Sequence, residues 1–157
     1  MRTKAVLFLS LLCACSTTPN PWITDSLVTG TPSFSRIRYV SPQPHPPLAF
    51  EMVKIGEEIG AFISLNRFRL ASSTKISFTI ADQLFEEEIP VHEGGMRLRL
   101  SEATTQQLIQ ALQDGQKIGI LVDDFEEILD PDQFSRSFAK FLDENHFFQT
   151  LLRGPNS

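Results

Sequence analysis

From residue 48 onward, apolar and polar residues alternate with a period of two, the spacing of strands that bury one face. Segments 48–55 and 58–65 flank Gly56-Glu57 and read as a β-hairpin. A single helix over 48–65 is the competing reading, because Glu, Lys and Met suit both. Two glycines and the β-branched residues favour strands. In 75–80, Ile76, Phe78 and Ile80 fall on one face, and Lys75, Ser77 and Thr79 on the other. Ala81-Asp82 then turns the chain into 84–91, where Pro90 marks an edge strand or the end of pairing. Gly94-Gly95 makes the next tight turn, into 96–100, with Met96, Leu98 and Leu100 opposite two arginines.

Two stretches switch to the helical period. Ser101 is a natural N-cap with Glu102 in the first turn. Leu108, Ile109 and Leu112 form the stripe, and Asp114-Gly115 is the stop. After a second hairpin, 117–122 and 125–129 about Asp123-Asp124, the run Asp130-Pro131-Asp132-Gln133 predicts an N-cap, Pro at N1 and Gln at N3. Phe134, Phe138, Phe141 and Leu142 give the helical face. The fold class is therefore α+β: an antiparallel β-sheet, as a small sandwich or open barrel, with two packed α-helices.

The N-terminal third follows neither period. Residues 16–47 hold seven of the ten prolines with many Ser and Thr, a composition that excludes a central strand or helix. Residues 15–33 read as a tether with a root-mean-square reach of roughly 25 Å. Segment 34–40 is strand-like, and pairing with the domain is favoured over a linear motif for a partner. Residues 42–47 read as a polyproline II connector. The expected division is 1–14 signal, 15–47 tether, and 48–157 one globular domain, with 34–40 as a possible addition.

Ahead of the tether, Arg2 and Lys4 precede a short apolar run ending in Leu12-Cys13-Ala14-Cys15. That run falls short of the about 20 residues needed to span hydrocarbon as a helix. Leu12-Cys13-Ala14-Cys15 resembles the lipobox of bacterial lipoproteins. The resemblance covers residues 2–16, with Leu at −3, Ala at −1 and Cys at +1. It implies cleavage before Cys15, lipidation of Cys15, and a permanent membrane anchor in the cell envelope. Ser16, where Asp would signal inner-membrane retention, implies the outer membrane, with the domain facing the periplasm.

Cleavage would leave 143 of the 157 residues, enough for one core. Lys plus Arg would fall from 14 to 12 against 19 Asp plus Glu, a net charge of −7. An acidic chain without a basic patch argues against nucleic acid and against electrostatic attraction to anionic lipid. Cys13 would leave with the signal and Cys15 would carry lipid, so no internal disulfide is available. The thirteen Phe residues predict an aromatic-rich core.

No catalytic residue, metal site or cofactor emerges. His92-Glu93-Gly94-Gly95-Met96 lacks the second His of a zinc-protease motif. No nucleophile elbow or phosphate loop is present. The acidic run Asp123, Asp124, Glu126, Glu127, Asp130 and Asp132 lacks the register of a calcium loop and reads as a solvated hairpin tip plus a helix cap. Glu86-Glu87-Glu88 reads as a charged edge that discourages aggregation. Phe147, Phe148, Leu151 and Leu152 are a candidate partner-binding patch, although folding back onto the core is the favoured reading. The expected function is a non-catalytic, membrane-anchored scaffold that binds an envelope protein. The alternatives are a module for envelope lipid, glycan or peptidoglycan and, last, a hydrolase using scattered carboxylates.

Overall fold

The computed structural model describes residues 19–27, 34–66, 68–70, 73–91 and 93–143. Nine strands and two helices are formed among them, in the order β1 (Trp22–Leu27), β2 (Phe34–Tyr39), β3 (Leu48–Ile55), β4 (Glu58–Leu65), β5 (Ser73–Ile80), β6 (Gln83–Pro90), β7 (Arg97–Arg99), α1 (Glu102–Gln113), β8 (Ile118–Val122), β9 (Phe125–Leu129) and α2 (Phe134–Leu142). They make two open antiparallel sheets, β1-β2-β3-β4-β7 and β6-β5-β8-β9. The α+β architecture is the one the alternation implied, and segment 48–65 is a hairpin of two strands.

The sheets and helices close on one apolar core. In the five-stranded sheet, Trp22 sits opposite Tyr39, and Phe50 is opposite Ile63, which in turn faces Leu98. The four-stranded sheet contributes Ile76, Phe78, Ile118, Ile120 and Val122. Helix α2 lays Phe134, Phe138 and Phe141 onto β1 and β2, and α1 adds Leu108, Ile109 and Leu112. Seven of the buried core side chains are aromatic, five of them Phe.

Four expectations are corrected. The stretch read as tether is partly folded: β1 pairs along its whole length with β2, and Trp22 is 1% exposed. Pro19 and Pro21 lie just ahead of β1 rather than within it, so the ladder loses no donor. Helix α2 begins at Phe134, not after Asp130. Gln133 is left-handed (φ 59°), and the Asp130 carboxylate caps a turn by accepting from the Asp132 amide at 2.9 Å. Met96, expected on the apolar face, is 46% exposed because the strand starts only at Arg97. Within the acidic run, Glu127 is not solvated: it lies on the inward face of β9 and is 3% exposed.

The turn at Gly94-Gly95 carries the chain from one sheet to the other, since β7 pairs with β4 rather than with β6. Gly95 is required there. Its φ is +67°, and a Cβ would stand 2.4 Å from the Leu70 carbonyl oxygen. The crossing sets Arg97 and Arg99 in the same layer as β2.

Candidate functional site

The outer face of the five-stranded sheet gathers the polar half of each alternating strand. In register across it run Ile23, Arg38, Glu51, Phe62 and Arg99, one from each strand. Beside that row lie Asp25, Arg36, Val53 and Gly60 on one side, and Ala49, Ser64 and Arg97 on the other. Arginines therefore stand on β2 and β7, three strand spacings or about 14 Å apart. Between them β3 and β4 present mostly short side chains: Ala49, Val53, Gly60 and Ser64. The result is a shallow trough between arginines on β2 and β7, with Glu51 and Phe62 at the centre of its floor. Both helices pack elsewhere: Ser35, on the inward side of β2, donates to the Phe141 carbonyl at 3.0 Å.

Three arginines are partly engaged. Arg36 meets Asp25 at 2.8 Å and Glu51 at 3.6 Å, and Arg38 reaches Asp25 at 3.5 Å. Arg97 binds the other Glu51 oxygen at 2.6 Å and lies 4.0 Å over the Phe62 ring. Arg99 arches over Gly60, where a Cβ would stand 3.8 Å from its Nε, and reaches no carboxylate among the described residues. The Arg36 Nε is buried with no acceptor. Four guanidinium groups share this face with three carboxylates, Asp25, Glu51 and the exposed Glu58 at the start of β4, a surplus of one positive charge on a chain of net charge −5.

A second polar feature is internal. Burial pushes the Glu127 carboxyl above its ordinary pKa, against hydrogen bonds from the Ser41 side chain and the Ile128 backbone. Its Oε2 has no partner. Tyr39 beside it is also raised, by burial and by the charges of Glu127 and Asp130, which outweigh a hydrogen bond to the Asp130 backbone. Ser41, at the start of the connector, is thus tied to this buried group.

Elsewhere, a half-open cleft of about 480 Å³ lies between the β5–β6 turn and α1, lined by Gln83, Phe85, Gln107 and Gln110 among others. On β6, Glu86 pairs with Lys75 at 2.6 Å, which holds its carboxyl below the ordinary range. Glu87 turns inward and accepts from the Ser101 amide at 2.9 Å, so the charged edge also braces the start of α1. Among the described residues, no three His, Cys, Asp or Glu side chains gather as metal ligands. No described helix is long and apolar enough to cross a membrane.

Several sequence candidates lie outside the described residues: Cys15, His92, and the patch Phe147, Phe148, Leu151 and Leu152. The arginine trough was missed. Its signal is the repeated Arg–apolar–Arg of Arg36-Ile37-Arg38 and Arg97-Leu98-Arg99, which in strands puts both charges on one face. Comparison with protein-family models, curated proteins and solved structures finds no match to this chain.

Proposed function

We propose that the protein is a lipid-anchored envelope module that works by binding another protein, with Cys15 as the anchor and the arginine trough as the docking face. The supporting observation is the trough itself: a sheet face that neither described helix covers, with four arginines, one of them without a carboxylate partner among the described residues. The lipobox resemblance supplies the anchoring half of the reading. With β1 folded, only residues 16–21 separate Cys15 from Trp22. Six residues have a root-mean-square reach of roughly 13 Å, so the domain would sit close to the headgroups rather than far above them.

The test compares wild type with Cys15→Ser and with Arg97→Glu/Arg99→Glu by in-cell cross-linking and pull-down. One partner recovered with wild type and lost in both variants supports the reading. Recovery that ignores the arginine changes argues against it. The cleft beside α1 favours a second reading, an envelope-ligand module. A thermal shift with envelope extracts would then appear and would be lost in Gln107→Ala/Gln110→Ala.

A further inference from the structure

We infer that the occupant of the trough is a carboxylate-rich, extended segment of a partner protein, lying along β3 and β4 between the two arginine walls. The inference rests on the docking reading above and names the chemistry that the face selects.

The shape argues for a chain rather than a small ion. The arginines are spread over about 14 Å across the sheet, and each pair on one strand is about 7 Å apart. In an extended peptide, side chains at i and i+2 share a face at that same spacing. Carboxylates at alternate residues can therefore follow an arginine wall in register. Ala49, Val53 and Ser64 are short, while the Phe62 ring lies beside Gly60 and beneath Arg97, so an incoming chain would meet the guanidinium groups first.

The charge argues for carboxylates rather than a polyanion. Arg36, Arg38 and Arg97 already hold carboxylates, Asp25 and Glu51, in their own plane. All four cations are arginine, whose planar fork suits bidentate pairing. Asp25 and Glu51 would oppose the dense charge of a nucleic acid or an anionic bilayer, as would the chain's net charge of −5. A short acidic segment needs only the one surplus positive charge, and it brings an acceptor within reach of Arg99, which holds no carboxylate among the described residues. Glu51, paired at 2.6 Å and 3.6 Å with Arg97 and Arg36, is the internal competitor for that segment.

The experiment is fluorescence anisotropy on the purified protein, with a labelled peptide of four Glu-Ser repeats as probe and its Lys-Ser counterpart as control. The expected result is saturable binding of the Glu-Ser peptide that weakens as salt rises. Arg99→Glu should weaken it at least tenfold, and Glu51→Gln should tighten it severalfold. A gain in Glu51→Gln cannot come from misfolding, and Trp22 emission confirms that each variant is folded. No binding at low salt would overturn the inference, as would binding indifferent to Arg99→Glu. So would tighter binding to single-stranded DNA or to phosphatidylglycerol vesicles than to the peptide. If a partner cross-links to this face in cells while the acidic peptide does not bind, the docking reading survives and the carboxylate inference fails.

Discussion

Trp22 decides whether the chain ahead of β2 is a spacer or part of the core. It is the only tryptophan, 1% exposed, and its indole Nε1 donates to the Asp130 carbonyl at 2.8 Å. Its ring packs edge-on against Phe134 at 4.8 Å and contacts Tyr39 at 5.0 Å. Removing such a side chain costs about 3–5 kcal/mol in lost transfer free energy and cavity. The Asp130 carbonyl, left without its donor, adds about 1 kcal/mol. With a urea m-value of about 1.5 kcal/mol/M, Trp22→Ala should lower the unfolding midpoint by about 3–4 M. Trp22→Phe keeps an aromatic ring and loses the donor, so its cost should be about 1–2 kcal/mol. Circular dichroism reads both variants, and wild-type emission should be blue-shifted and shielded from acrylamide. A Trp22→Ala midpoint within about 0.3 M of wild type, with water-like wild-type emission, would refute the folded β1 and restore a long tether.

Glu127 provides a test with the opposite sign from most carboxylates. Its folded pKa lies above the unfolded value of about 4.3, so its ionisation opposes folding. The stability difference between Glu127→Gln and wild type should be least below pH 4.3. It should grow in favour of Gln as pH rises through the folded pKa and then level off, as read from urea midpoints between pH 4 and 8. Gly95→Ala, at φ +67° and with a Cβ 2.4 Å from the Leu70 oxygen, should destabilise by about 2–3 kcal/mol in thermal melts. Gly94→Ala, at φ +77° with open space around it, should cost only about 1 kcal/mol, and equal effects would refute the clash. Ser101→Ala removes the acceptor for the Thr104 amide and should cost about 1 kcal/mol, seen as a lower melting temperature.

The sequence was most readable where a pattern is local. The hairpins about Gly56 and Ala81-Asp82 follow from alternation and turn chemistry, and both appear at those places. The start of α1 was equally plain, because Ser101 and Glu102 act within one turn. Composition misled at β1: Pro19 and Pro21 coloured the whole window, although Trp22-Ile23-Thr24-Asp25 alternates once the prolines are passed. The start of α2 failed for a related reason. Asp130 satisfies a turn amide two residues on, and that bond competes with the capping role the spacing suggested.

The trough was legible only in halves. Arg97 and Arg99 were already seen opposite an apolar face, but nothing local says that β7 leaves β6 and joins β4. That exchange is made by the Gly95–Leu70 contact, between residues 25 positions apart. Glu127 was hidden in the same way. Its neighbours in sequence suggest a solvated tip, and only its pairing opposite Ile120 turns it inward.

The central claim is that the protein meets its partner on the outer face of the five-stranded sheet. The most direct test installs a photo-cross-linking residue at Ser64, in the trough floor, and separately at Thr79, on the outer face of the other sheet, in living cells. The account predicts a discrete adduct from position 64 that disappears with Arg97→Glu/Arg99→Glu, and none from position 79. An adduct from position 79 with none from position 64 would contradict it.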